Sequence, residues 1–473
     1  MIDFIPTAIR GMTQEETATL KRLLKILDTK SHRNKIRTTY YSMHNRLNDM
    51  GIAVPPQLTN TLTVVGWPAK AVDQLAARSI FDGFVSPSDA SLNGLERILL
   101  ENNFENMYNQ ATTSELIHSC SFFTVSAGAD GEPQVIISAY SAENAAAEYD
   151  YRRKRIKNGL TVIERDDDAN KEPCRMNLYT DKAVIEIARS GGRWAATRKR
   201  HPHGRPLMEP LIYSPSLDRP FGKSRISRAV MSITDSAVRT ALRTEVSAEF
   251  FTSPQKYLMG ADSTIFEDKS KWDAYLGAIF AVSKDEDGDI PQFGQLSQMS
   301  MQPHTEYMRS LAARFSGETN IPVSSLGVIH DNPSSAEAIY VAKEDLIIEA
   351  MNLNKTNGIA LRNVALLVIA MLQNKPLPKL KDDERAIKAH FRNPAMPSVV
   401  SQADAMCKIA SAAPWIAETE VFLEEIGFDE AQRDRLLSDK RKASAVGGYL
   451  SQLAKPVEAA PQEADVNDKQ QPN

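Results

Sequence analysis

Cysteine is nearly absent from this chain: only Cys120, Cys174 and Cys407 occur in 473 residues. They are odd in number, far apart and form no CxxC pair. That argues against a disulfide framework or a zinc site and fits a reducing compartment. A basic surplus is missing too. The 56 lysines and arginines face 60 aspartates and glutamates, for a formal net charge of −4. A chain that grips duplex DNA tightly through its phosphates carries a clear positive excess, so here any such patch is local. Long apolar runs are lacking as well. The longest, residues 364–372, falls far short of the ~18 residues that suggest a membrane span. The opening MIDFIPTAIRGMTQEE has no apolar core of a signal peptide. The expectation is a protein made and assembled in a cytosol, with no membrane partner.

Catalytic signatures are equally scarce. There is no GxSxG elbow and no HExxH pair. The eight histidines are scattered except for His201 and His203, and two histidines alone make no metal site. Gly222-Lys223-Ser224 resembles the end of a phosphate loop, but the glycine required five positions earlier is Leu217. The simpler reading is a turn in which Gly222 eases the bend and Ser224 caps the following helix. Asp285, Asp287, Gly288 and Asp289 suggest a calcium loop, yet its sixth and twelfth positions hold Ile290 and Leu296 rather than glycine and glutamate. The basic stretch Arg193, Arg198, Lys199, Arg200 and Arg205 could meet phosphates, but a solvated loop facing an acidic neighbour is the commoner outcome. No catalytic, cofactor-binding or metal-binding residue is assigned.

At 473 residues the chain exceeds one ordinary core, and several compact units are expected. Residues 13–49 read as a helix, with a Thr13–Glu16 capping box, a stripe of Leu20, Leu23, Leu24 and Leu27, and Gly51 placed to end it. Pro55-Pro56 makes a rigid turn, and Gly66-Trp67-Pro68 leads into a helix with Ala71, Val72, Leu75 and Ala76 on its apolar face. Amphipathic helices are expected at 92–107 and 111–117. Between 119 and 214 short β-rich runs at 122–125, 135–137, 160–163, 183–187, 193–197 and 211–213 predict a largely antiparallel sheet, interrupted by a charged helix at 141–158. Helices follow at 226–251 and 302–316, with a strand at 256–259 between them. An irregular loop at 321–333 precedes a helix that starts near a Ser334–Glu337 capping box, runs to 372 and is expected to kink at Gly358. Residues 391–398 read as a stiff connector. Residues 400–442 are helical with a break at Pro414, and from 456 the polar composition predicts disorder.

Three separated blocks resemble the portal proteins of long-tailed bacteriophages. They are YYSMHNRLNDMGIAVPPQLTNTLTVVGWPAKAVDQLAARSIFDGF at 40–84, DRPFGKSRISRAVMSITDSAVRTALRTEVSAEFFTSPQKYLMGA at 218–261, and IPVSSLGVIHDNPSSAEAIYVAKEDL at 321–346. FRNPAMPS at 391–398 and the helices ending near 442 echo the same pattern. Gly66 stands where such portals often carry Asn before Trp-Pro, and Ser42-Met43-His44-Asn45 replaces the usual Asp-Gly-Glu-His. The resemblance implies an α+β portal fold with an α/β wing, a helical stem, a small α/β clip and a helical crown. Carried onto this sequence it gives a wing at 1–222, stem helices at 223–252 and 298–319, and a clip at 253–297. A tunnel loop and long kinked helix follow at 320–393, then a crown at 394–455 and a tail at 456–473.

It also implies a dodecameric ring at one capsid vertex of the virion, assembled in the host cytoplasm, through which double-stranded DNA is packaged and ejected. The expected partners are the terminase large subunit, a head-completion or connector protein, and the major capsid and scaffold proteins. DNA passes without sequence recognition. The loop residues expected to face DNA are Ser324, Ser325, Leu326, Val328, Ile329, His330, Asp331 and Asn332; the loop holds no Lys or Arg, so it would not brake a sliding duplex. Along the first stem helix, Arg239 and Arg243 on one side and Glu245 and Glu249 on the other suit a heterologous interface that closes a ring. The competing readings are a packaging or processing enzyme such as a terminase or nuclease, which would require a phosphate loop or acidic metal cluster, and an unrelated structural adaptor.

Overall fold

The computed structural model describes residues 9–46, 63–86, 92, 94–166, 172–252, 256–259, 292–295, 300–327, 341–395, 399–428 and 430–453. The chain is α+β, and among the described residues every paired strand is antiparallel to its neighbour. It divides into two compact units, Met1–Ala395 and Met396–Asn473.

Helix α1 (Gln14–Tyr41) begins at the expected capping box: Thr13 accepts from the Glu16 amide, and the Glu16 carboxylate accepts from the Thr13 amide. It ends ten residues before Gly51 because Met43 takes the left-handed conformation (φ 59°) and the His44 amide reaches back to the Thr39 carbonyl. This is a six-to-one closure that glycine usually provides. The leucine stripe is buried against a five-stranded sheet, where Leu20, Leu23 and Leu24 meet Leu160, Met176, Leu178 and Ile185. That sheet comprises β4 (Ala145–Asp150), β5 (Arg155–Arg165), β6 (Pro173–Tyr179), β7 (Ala183–Ser190) and β8 (Arg193–Arg200), paired in that order. The charged helix expected at 141–158 is therefore replaced by β4, a turn and the start of β5. Ala145, Ala146 and Ala147 favour helix intrinsically, but all three are buried and their pairing with β5 overrides that preference.

Helix α2 (Trp67–Ala76) is followed by α3 (Leu95–Glu101) and α4 (Phe104–His118), which are divided at Asn102-Asn103 rather than beyond residue 107, with Asn103 left-handed at φ 49°. A second sheet is ordered β3 (Val135–Ser141), β2 (Cys120–Ala127), β9 (Met208–Ile212). The first residue of the supposed connector, Phe391, instead ends a strand: β12 (Lys388–Phe391) pairs with β1 (Phe81–Val85) in a small sheet, in which Phe81 faces Phe391. Helix α5 (Arg228–Thr252), helix α6 (Gln302–Thr319) and helix α7 (Glu344–Leu372) complete the unit's main framework. Helix α7 is unbroken through Gly358, whose missing Cβ would stand 3.3 Å from the Phe391 ring, so the glycine serves close packing. By length and composition α7 could cross a membrane, but half of its most apolar stretch is buried inside the fold. Leu361, Val364, Leu367 and Val368 pack there with Phe104, Phe122 and Phe123.

The second unit carries helices at Val399–Ala412, Glu420–Ile426 and Glu430–Leu453, with a 3₁₀ turn at Pro414–Glu418 where the break was expected. Arg433 bridges Glu424 at 3.0 Å. The tail from 456 lies outside the described residues.

Two buried polar clusters set the first unit's internal geometry. In one, the Arg225 guanidinium, 5% exposed, donates from Nε to the Ala71 carbonyl (2.6 Å) and from a terminal nitrogen to the Thr319 carbonyl (2.6 Å). It also contacts the Tyr213 hydroxyl (3.2 Å) and pairs with Glu349, which accepts from Tyr213 as well. One side chain thus ties together α2, the end of β9, the approach to α5, the end of α6 and α7. Replacing Arg225 with Met removes the cation that pairs with Glu349 and the side-chain donor to two carbonyls. The expected loss is about 3 kcal/mol of stability, read from the midpoint of denaturant unfolding; a loss below about 1 kcal/mol would contradict the assignment.

In the other cluster Glu115, fully buried, accepts from Asn357 Nδ2 at 2.9 Å, while Ser79 joins Tyr108 (2.7 Å) and Asn354 (2.6 Å). Burial pushes the Glu115 carboxyl up to about 8. The folded chain therefore holds this proton over a range in which the unfolded chain has released it. Its contribution is complete below the unfolded value near 4.5 and declines as pH rises toward about 8. Glu115→Gln keeps an acceptor for Asn357 and removes the titration. Its stability relative to the parent chain should climb steadily between those pH values in denaturant unfolding; a pH-independent difference would contradict a buried neutral carboxyl.

Candidate functional site

Helix α5 starts from Ser227, whose hydroxyl accepts from the Val230 amide. Ser224, expected to be the cap, is buried and instead donates to the Ile117 carbonyl at 2.5 Å. The Gly222 turn has φ 68°, and a Cβ there would stand 2.1 Å from the Tyr213 carbonyl oxygen. The Lys223 amide donates to that same carbonyl. The Gly-Lys-Ser stretch is therefore a packed turn, with its backbone committed to β9.

Helices α5 and α6 lie antiparallel. Ser227, at the start of α5, donates to Glu318 near the end of α6 (2.8 Å), and Ser247 near the end of α5 meets His304 near the start of α6 (3.1 Å). Val230, Ile233 and Ala237 pack with Leu311, Ala312 and Phe315 between them. At ~1.5 Å per residue, the 25 residues of α5 form a rod about 37 Å long. Beyond its end, β10 (Lys256–Met259) pairs with β11 (Gln292–Gln295), a partner that sequence reading did not supply. The chain thus leaves the first unit's core along one helix and returns along another.

Arg239 and Arg243 are half-buried on α5. Glu245 is exposed and accepts from Thr63 at 3.1 Å. The side chain of Glu249 lies outside the described residues.

The loop after α6 turns at Asn320 (φ 55°), whose side chain donates to Glu349 at 3.3 Å. It then forms a short 3₁₀ segment, Val323–Leu326. Ser324 is exposed and Ser325 half-buried. Leu326 corrects the sequence expectation: it is 7% exposed and packs with Phe315 and Ile321, so it anchors the loop to the core instead of facing outward. Val328, Ile329, His330, Asp331 and Asn332 lie outside the described residues, as do Ser334 and the Asp285–Asp289 stretch.

Part of the basic stretch meets acids, on a strand rather than a loop for Arg198 and Lys199 of β8, and in a buried pair beyond it for Arg205. Arg198 pairs with Glu16, Lys199 with Glu186 at 2.7 Å, and Arg205 with Glu209. The His201 and His203 rings stack at 5.4 Å, and His203 Nδ1 meets the Lys375 carbonyl at 3.0 Å. Burial, then the charge of His203, lowers the His201 pKa. Among the described residues no group of three or more His, Cys, Asp or Glu side chains is placed to hold a metal. Arg225 was invisible to sequence reasoning: a lone arginine before a helix has no periodicity or spacing, and its role exists only once five separate segments converge.

Residues 12–442 match the family model described as phage portal protein, SPP1 Gp6-like. The portal protein of Mycobacterium phage L5 is 27% identical over 443 residues, spanning 90% of this chain and 88% of the relative. That of Mycobacterium phage D29 is 26% identical over 441 residues with the same shares. Among solved structures, a chain in the neck of an empty gene transfer agent particle aligns at 14% identity and a TM-score of 0.45, covering 80% of this chain and 91% of its own. A chain in the virion of a native gene transfer agent particle aligns at 14% identity and a TM-score of 0.43, covering 73% and 86%. Likeness at that level decides neither assembly nor function. The match over nearly the whole sequence does decide the family: this chain belongs to the SPP1 Gp6-like phage portal proteins.

Proposed function

We propose that the protein is the subunit of a dodecameric portal ring at one vertex of a capsid, through which double-stranded DNA is packaged and later ejected. The family match over residues 12–442 carries this reading. In it, the first 222 residues form the wing, α5 and α6 are the stem, and the segment between them is the clip. The loop after α6 lies toward the channel, and the helices from residue 399 form the crown. The ring assembles in the host cytoplasm. It offers docking surfaces to the terminase large subunit, a connector protein, and capsid and scaffold proteins.

Two physical features support a conduit rather than a gripping protein. The sequence from 321 to 334 carries no Lys or Arg, so few phosphates would be neutralised there and sliding would meet little resistance. Exposed Ser324 can make transient contacts, while buried Leu326 fixes the loop's base. The antiparallel helix pair is also a suitable repeating wall. A ring needs unlike faces on its two sides, and we assign Arg239 and Arg243 to one face and Glu245 and Glu249 to the other. No residue is assigned to catalysis, and the role is structural.

Native mass measurement of the purified chain should give a large closed assembly; a stable single chain in every buffer contradicts the reading. Arg239→Glu with Arg243→Glu should shift the population toward small species, and adding Glu245→Arg with Glu249→Arg should restore the large one. Failure of the second pair to rescue would remove these residues from the interface. Duplex DNA should bind weakly and without sequence preference, so nanomolar site-specific binding at physiological salt would count against a conduit.

A further inference from the structure

A cavity of about 810 Å³ opens between α1, β4, β5 and the 218–223 segment, all within the first unit. No role described above uses it. Seven basic side chains line it: Arg22, which pairs with Glu148, and Lys30, Arg33, Arg37, Lys157, Arg219 and Lys223. Against them stand two acids. Glu148 is already engaged by Arg22 (2.8 Å) and Asn158 (2.9 Å), and Asp218 is exposed in the segment that carries Arg219. The chain as a whole is slightly acidic, so this concentration of positive charge is local and one-sided.

Arg37 is the most informative member. One terminal nitrogen donates to the His118 carbonyl at 3.2 Å, but its Nε is buried with no hydrogen-bond partner among the described residues. Burial first, and then the neighbouring Arg33 charge, pull its pKa down to about 10. A half-buried guanidinium with a buried, unpaired Nε beside a like charge is costly, and an incoming carboxylate would offset that cost. The floor is apolar, formed by Ile26, Phe122, Ala145, Ala147 and Phe221. Its rings contact one another, Phe122 with Phe221 and Phe221 with Tyr149 at about 6 Å, which fixes the shape of the floor. A duplex is a rigid cylinder of phosphates and would stay at the rim. Cys120 and His118 also line the space, but burial pushes the thiol up to about 12, so no thiolate is available for covalent chemistry.

We propose that this groove is a docking site for an acidic segment of another protein, with carboxylates meeting Arg33, Arg37 and Lys223 and an aliphatic or aromatic side chain seated on the Ile26–Phe221 floor. The volume falls in the range of small-ligand sites and holds a short stretch of chain. Basic groups around an apolar floor match such a segment in both charge and shape.

The test uses the full chain and a fluorescently labelled heptapeptide of sequence DEEFDEL, with KKKFKKL as control. The acidic peptide should bind saturably at low salt, weaken as salt rises, and lose about tenfold in affinity with Arg33→Glu plus Lys223→Glu. Arg152→Glu, an exposed change outside the cavity, should leave affinity unchanged. Arg33→Gln plus Lys223→Gln provides a milder pair should charge reversal impair folding, which circular dichroism would reveal, and should weaken binding in the same direction. Absence of saturable binding, or binding indifferent to both pairs, overturns the proposal. So does displacement of the peptide by a single-stranded oligonucleotide or by inorganic phosphate at lower concentration than unlabelled peptide, which would assign the groove to phosphate ligands. Loss of the large assembly in the folded glutamine pair would also overturn it, because the groove would then belong to a second copy of this chain. Peptide binding is read independently of ring formation, so failure here leaves the portal reading intact.

Discussion

The geometry of the first unit depends on one buried cation. Arg225 sits where α2, β9, α5, α6 and α7 come together, and all four partners of its guanidinium are oxygens on other segments of the chain. Apolar packing alone fixes distances loosely, since Trp67, Phe315, Ile321 and Leu353 could slide against one another at modest cost. A planar guanidinium with directed donors cannot slide without leaving a buried carbonyl or Glu349 unpaired. The antiparallel helix pair therefore leaves the core at a fixed angle, and the loop after α6 starts from a fixed point because Thr319 and Asn320 are held through Arg225 and Glu349.

Helix α7 is the second hub. Its apolar residues complete the core beneath β2 and β9, Asn354 and Asn357 enter the polar cluster around Glu115, and Glu349 completes the Arg225 cluster. The segment that follows the helix pair in sequence is thus bound at three levels to the sheet-bearing part of the chain. In the ring proposed above, α7 has the length and the contacts to hold the sheet-bearing part and the helix pair as one rigid body.

Much of this was legible in the sequence, for identifiable reasons. The Thr13–Glu16 capping box, the leucine stripe of α1 and the Gly-Trp-Pro start of α2 are local signals, and the structure honours them. The portal resemblance of the three blocks agreed with the family match. Errors arose where tertiary contacts outweighed local preference. Met43 ended α1 in a conformation that sequence rules reserve for glycine. The alanine run at 145–147 became a strand because its pairing partner was out of sight. Leu326, placed in a loop by its Pro and Gly neighbours, is drawn into the core by Phe315 and Ile321. Arg225 carried no sequence signal at all.

The central claim is that these chains close into an annulus whose helix pair forms part of the wall and whose loop after α6 approaches the bore. An electron cryo-microscopy map of the purified assembly viewed along its axis tests this directly. The account predicts twelvefold symmetry with an open central channel and Ser324 on the side nearer the axis. A particle without a central hole, or a ring with the loop after α6 on its outer rim, would contradict it.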